Sequence, residues 1–138
     1  MAKVNMQTEL KVPADEVWEM IGRYNALPDW HPAVVSSELE SDGKIRRLKL
    51  LGGGEIVERL ERIDEKERLY RYSIIHSPFP VVNYTATIRV RDKDDGEGSV
   101  VEWSSEFNPE NAPETDAVKT IQDVYQEGFD NLRKMFGS

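Results

Sequence analysis

The stretch LGGGEIVERLERIDEKERLYRYSIIHSPFPVVNY, residues 51–84, decides the fold. It opens on Gly52, Gly53 and Gly54, where the lack of a Cβ lets the backbone enter regions closed to other residues. A tight reversal is therefore expected there, and we read it as the lip of an apolar cavity. Further on, Tyr70, Tyr72 and Ile74 alternate with polar residues at the period of a half-buried strand. Tyr84 begins a second such face with Ala86, Ile88 and Val90. The segment from Ile56 to Ile63 admits two readings. Ile56, Leu60 and Ile63 fit helical spacing, with Glu58 and Arg62 placed to pair four residues apart. Ile56, Glu58 and Leu60 equally share one face of a strand.

Working outward, Val4, Met6, Thr8 and Leu10 alternate as a first strand. Pro13 suits a helix start, and Asp15 and Glu16 in the first turn match the helix dipole. Val17, Trp18, Met20, Ile21 and Tyr24 supply that helix with an apolar stripe, and Pro28 and Pro32 limit residues 26–33 to a short helical turn. A strand over Val34–Glu40 closes at Ser41-Asp42-Gly43-Lys44, and Leu48 and Leu50 share a face in the next, with Arg47 and Lys49 opposite. Asp94-Asp95-Gly96 with Gly98 marks a hairpin turn. Val101, Trp103 and Phe107 share a face in the last strand, so alternation turns Trp103, Ser105 and Phe107 inward. Pro109 and Pro113 end it, and a long helix follows from about Glu114 to Phe136 with Val118, Ile121, Val124, Tyr125, Gly128, Leu132 and Met135 as its stripe. Sequential hairpins imply an antiparallel sheet, and the final helix is the only element long enough to cover one face. The fold class is α+β, about seven strands curved around a C-terminal helix, and residues 1–138 read as a single domain.

The totals narrow the function. With 26 acidic and 18 basic side chains the net charge is −8, which repels phosphate backbones and anionic lipid surfaces. Nucleic acid is not an expected partner, and Arg46, Arg47 and Lys49 form the only dense basic group. The sequence has no cysteine, which removes disulfides, thiolate metal sites and thiol nucleophiles. No run reaches membrane-spanning length and the start lacks the apolar core of a signal peptide, so a cytoplasmic protein is expected. Two histidines without further ligands predict no metal site, and no phosphate-cradle, dinucleotide or nucleophile-elbow motif is present, so no cofactor is expected.

The order of elements resembles the superfamily of START-related lipid-transfer domains, birch-pollen-allergen-like proteins and bacterial polyketide cyclase-like proteins. Val12-Pro13-Ala14-Asp15-Glu16-Val17-Trp18, followed by Leu27-Pro28-Asp29-Trp30-His31-Pro32, is similar to the opening signature of the cyclase-like group. Glu58-Arg59-Leu60-Glu61, Ser73-Ile74-Ile75 and Asn83-Tyr84 resemble motifs of the plant abscisic-acid receptors. The resemblance implies a helix-grip fold and assigns residues 56–64 to a strand. The three features specific to hormone sensing differ. The gate loop is about three residues shorter and carries Gly52-Gly53-Gly54, the His-Arg-Leu latch aligns with Phe79-Pro80-Val81, and the hormone-gripping lysine aligns with His31. A gapless match would turn Glu102 and Ser104 inward, against the alternation.

Candidate chemistry concentrates on two residues. A strand reading puts Glu58 on the inward apolar face, as a general acid, a base or a ligand anchor, or else as an ion pair with Arg62. His31, between Trp30 and Pro32 at the expected cavity entrance, is a ligand donor, an acid–base group or an ordinary loop histidine. His76 shares parity with Ile74 at the cavity mouth. The expected lining comprises Trp30, His31, Leu48, Leu50, Glu58, Tyr72, Ile74, Tyr84, Ala86, Trp103, Val124 and Gly128, the last as room for ligand or as a close-packing position. Gly52, Gly53, Gly54, Phe79 and Pro80 form the mouth. The principal functional expectation is binding of a small hydrophobic or amphipathic molecule, lipid-like or polyketide-like. The alternatives are a cyclase, aromatase or dehydratase using Glu58 with His31 or Tyr72, and a partner-binding module with an exposed apolar patch at Phe79 and Val81.

Overall fold

The computed structural model describes residues 1–93 and 97–137. The predicted turn at Asp94-Asp95-Gly96 lies outside the described residues. Strand β1 (Ala2–Leu10) is followed by α1 (Ala14–Ile21), a 3-10 turn (Tyr24–Ala26) and α2 (Leu27–Trp30). Then come β2 (Val34–Glu40), β3 (Ile45–Leu50), β4 (Glu55–Asp64), β5 (Leu69–His76), β6 (Val81–Asp92), β7 (Ser99–Pro109) and α3 (Glu114–Phe136). The strands form one seven-stranded sheet in the order β1-β7-β6-β5-β4-β3-β2, every pairing antiparallel. This is the curved sheet and C-terminal helix expected of a helix-grip fold.

Pattern and register agree along most strands. In β1, Ala2, Val4 and Leu10 are buried while Lys3, Asn5, Gln7 and Glu9 are exposed. The 56–64 segment is strand, and β4 pairs with both β3 and β5. Ile63, which a helical stripe would have buried, is exposed. A register shift between Val57 and Glu58 interrupts the β4–β5 ladder, and such a bulge re-aims side chains locally. In β7, Trp103, Ser105 and Phe107 are buried and Glu102 and Ser104 are less so, as alternation requires and the gapless match does not.

Helix α3 lies across the concave face with Ala117, Ile121, Tyr125, Gly128, Phe129 and Leu132 buried. Each large apolar side chain on that face contributes roughly 1.5–3 kcal/mol on burial, so this stripe anchors the helix. The expected stripe differs in detail. Met135 is exposed, Val118 and Val124 are half-buried, and Ala117 and Phe129 join the buried set. No helix among the described residues is long and apolar enough to cross a membrane.

The glycine turn between β3 and β4 is a compact hydrogen-bonded reversal. Gly52, Gly53 and Gly54 have φ of 87°, 105° and 102°, a region that side chains disfavour. Leu50 N–H donates to the Gly54 carbonyl at 3.1 Å and Gly53 N–H to the Leu50 carbonyl at 3.1 Å. Leu51 N–H donates to the Ala33 carbonyl at 2.8 Å, which fastens the turn to the segment between α2 and β2.

Candidate functional site

Between α3 and the β2–β5 half of the sheet lies a cavity of about 50 Å³. Its walls include Leu27, Val34, Leu48, Leu50, Ile56, Ile74, Phe79 and Ile121, with Glu58, His31, Tyr72, Tyr84, Trp103 and Val124 among them. That volume suits a few water molecules and falls well short of the ~300–1,000 Å³ of a typical small-molecule pocket.

The structure brings His31, Leu48, Leu50, Glu58, Tyr72, Ile74, Tyr84, Trp103, Val124 and Phe79 together as predicted neighbours. Trp30, Ala86 and Gly128 are not on the cavity wall. Trp30 and Ala86 are buried in the core. A Cβ on Gly128 would sit 2.9 Å from His31 Cδ2, 3.0 Å from Trp30 Cζ3 and 3.3 Å from Trp103 Cζ3. This glycine is a notch for close packing of three rings and opens no room for a ligand. At the rim, Gly52 and Gly53 are exposed with open space around them, while a Cβ on Gly54 would sit 3.6 Å from Pro78 Cγ. Pro80 is half-buried beside Phe79, and His76 is exposed at the end of β5, outside the cavity wall. Neither Phe79 nor Val81 forms an exposed patch, because Phe79 is half-buried against the cavity and Val81 is buried.

Glu58 is buried, and its partner is Arg46, directly opposite on β3, rather than Arg62. Arg46 Nε and Nη2 both reach Glu58 Oε1, at 2.7 and 2.6 Å. Arg46 Nη1 donates to the Tyr24 carbonyl at 2.7 Å and, more weakly, to the Tyr70 hydroxyl at 3.4 Å. Its guanidinium lies 4.1 Å from the Tyr24 ring centroid and 5.2 Å from that of Tyr72, within the range of cation–π attraction. Arg62 instead pairs with Asp64 at 3.0 Å near the surface. Burial raises the Glu58 carboxyl above its usual range, and Arg46, through charge and hydrogen bonding, pulls it partly back. For Arg46, burial acts against the charged form, but Glu58 and the surrounding phenols outweigh it and hold the guanidinium protonated.

Arg46 was legible as an inward residue, since it shares strand parity with Leu48 and Leu50. Its proximity in sequence to Arg47 and Lys49 suggested a surface basic group instead. Parity is the stronger signal, and the pairing with Glu58 follows from the β3–β4 register.

His31 is also buried. Ala33 N–H donates to Nδ1 at 3.2 Å, which leaves the proton on Nε2 to be donated to the Val124 carbonyl at 2.7 Å. Both ring nitrogens are thus occupied, Nδ1 within the α2–β2 segment and Nε2 holding that segment onto α3. Asn131 Nδ2 adds a donor to the Trp30 carbonyl at 2.9 Å. Burial lowers the His31 pKa from 6.5, partly opposed by the Val124 carbonyl. Of the readings open for His31, this geometry favours the structural one: the ring is a neutral clasp.

The tyrosines are spent largely on one another. Trp103 Nε1 donates to the Tyr72 hydroxyl at 3.0 Å, Tyr72 and Tyr84 share a bond at 3.2 Å, and Tyr84 bonds Tyr125. Burial raises the Tyr72 and Tyr84 phenols well above their ordinary range, so they are neutral near pH 7.

These features sit in a fold with known relatives. Residues 1–137 match the family described as polyketide cyclase / dehydrase and lipid transport. The chain belongs to this family. A relative from Arabidopsis thaliana, MLP-like protein 423, is 28% identical, covering 94% of this chain and 90% of its own length. The solved structure of protein XoxI from Bacillus cereus superposes with a TM-score of 0.96 at 39% identity, covering 99% of this chain and 96% of that one. A START superfamily protein from Mycobacterium smegmatis shares the fold at TM-score 0.79 and 11% identity, covering 97% of this chain and 96% of that one. Members of the polyketide cyclase / dehydrase and lipid transport family typically bind hydrophobic ligands.

Proposed function

We propose that this protein binds a small, mainly apolar molecule between α3 and the sheet, with Glu58 orienting its polar end. The observation that carries this reading is the lining itself. Leu27, Val34, Leu48, Leu50, Ile56, Ile74, Phe79 and Ile121 converge on one space with a carboxylate at its wall. Apolar walls with a few convergent polar groups characterise ligand sites. Burial of apolar ligand surface would contribute roughly 25 cal/mol per Å² before ordering costs.

At about 50 Å³ the cavity is small, so a ligand larger than a few heavy atoms must displace wall side chains, and the half-buried Phe79 of the β5–β6 segment is the one we propose to move. Phe79→Ala is expected to enlarge the site and strengthen binding of small aromatic molecules. Thermal-shift and tryptophan-fluorescence titrations with toluene would measure this, and native mass spectrometry of the purified protein would reveal a retained molecule. No shift with any small hydrophobe in either protein, together with no retained mass, would sink the binding reading.

Catalysis is the less supported reading. A proton-transfer enzyme needs a free acid–base pair within reach of the substrate. His31 has both nitrogens occupied, and the Tyr72 hydroxyl is bonded to Trp103 and Tyr84. Glu58 keeps an open oxygen but has no free acid–base partner in either of these two residues.

A further inference from the structure

Resting on the binding reading, we infer that the cavity selects ligands whose polar end is an uncharged hydroxyl, an alcohol or phenol, over carboxylates and ammonium ions of the same shape. The inference begins with how the two oxygens of Glu58 are used. Both guanidinium contacts fall on Oε1. Oε2 takes no hydrogen bond among the described residues, although Glu58 lies on the cavity wall. That wall therefore offers a carboxylate oxygen with an acceptor to spare. Four of the five N–H groups of Arg46 are taken. Its Nε and Nη2 serve Glu58, and its Nη1 serves the Tyr24 carbonyl and Tyr70.

Charge balance then discriminates among ligands. Arg46 and Glu58 are both buried, and as an ion pair they carry no net charge. A hydroxyl donating to Oε2 leaves the buried group neutral and satisfies the open acceptor. A carboxylate would place a second negative charge against Oε2 and leave the apolar interior with an uncompensated charge. An ammonium ion would be attracted to Oε2 yet leave an excess positive charge beside the Arg46 guanidinium. The other polar side chains on the wall do not offset these costs. The ring nitrogens of His31 are occupied, Trp103 Nε1 donates to Tyr72, and the Tyr72 and Tyr84 hydroxyls bond each other.

The test is a matched panel of benzyl alcohol, benzoate, benzylammonium and toluene at pH 7, titrated by tryptophan fluorescence against wild type and Phe79→Ala. Benzyl alcohol is expected to bind at least about tenfold tighter than benzoate or benzylammonium, the scale of one hydrogen bond to a charged group, and tighter than toluene. Glu58→Gln keeps an amide acceptor but leaves the Arg46 charge unbalanced, so its preference is expected to turn toward benzoate. Should that variant not fold, Arg46→Met with Glu58→Met removes both charges, and is expected to retain toluene binding and lose the advantage of the alcohol. Toluene binding with benzoate equal to or tighter than benzyl alcohol in the wild type overturns the hydroxyl preference while sparing the binding reading. Absence of binding by every member in both proteins overturns both.

Discussion

Glu58 and His31 invite comparison because both are ionisable, buried and on the wall of the same cavity, yet their environments give them different capacities. His31 has two ring nitrogens and two partners, one on each side of the seam between α2 and α3. Glu58 has two oxygens, and its partner occupies one. Burial alone would rank the two as equal candidates for chemistry. Counting unmet hydrogen-bond capacity separates them, leaving the histidine as a clasp and the carboxylate as the group that can meet a ligand.

The largest expected effect is at the pair. Arg46→Met strips Glu58 of its counter-charge and is expected to destabilise the protein by about 3–5 kcal/mol in urea denaturation. Adding Glu58→Met to that variant is expected to recover most of the loss, since replacing a buried ion pair by apolar residues is often near neutral, within about 1 kcal/mol. A double variant as unstable as the single one would show that Arg46 matters for its packing on Tyr24 rather than for Glu58.

Gly128→Ala tests the clasp side. Overpacking against three rings costs about 1–3 kcal/mol and improved helix propensity returns about 1 kcal/mol, so a net loss of up to about 2 kcal/mol is expected. A stabilised Gly128→Ala would mean that Trp30 and His31 have slack to move away from α3.

The two groups should also give opposite pH slopes. The folded-state pKa of His31 is lowered from 6.5, so the unfolded chain binds more protons in that window. The stabilisation it contributes is fully present above pH 6.5 and is lost as the pH falls through its folded value. The folded-state pKa of Glu58 is raised from 4.5, so its contribution is fully present below pH 4.5 and is lost as the pH rises through its folded value. Stability measured against pH for wild type, His31→Gln and Glu58→Gln should show each slope disappear with its own residue. A His31→Gln profile parallel to wild type would break the assignment of the neutral clasp.

The smallest effect is expected from Tyr84→Phe, which removes the middle hydroxyl of the phenol chain at about 1 kcal/mol per hydrogen bond lost. It should leave the alcohol-to-carboxylate ratio unchanged. A large change in that ratio would shift ligand selection from Glu58 to the tyrosines.

Much of the fold was written in periodicity. The alternation in β1, in Tyr70-Tyr72-Ile74 and in Trp103-Ser105-Phe107, together with the long apolar stripe of α3, specifies strands, a helix and their buried faces through geometry local to each element. The 56–64 segment was the exception. Its apolar residues fit both periods, and its pairing with β3 and β5 decides the strand by completing the ladder on both sides. The inward placement of Glu58 also followed from strand parity. Its partner did not, because Arg62 is near in sequence whereas Arg46 is near only once β3 and β4 are in register. In the same way, no local pattern distinguishes a glycine that makes room for a ligand from one that admits three aromatic rings. Sequence spacing fixes which face a side chain occupies. Tertiary packing brings distant atoms within hydrogen-bonding range, and it decides that His31 is fully partnered while Glu58 keeps one oxygen open.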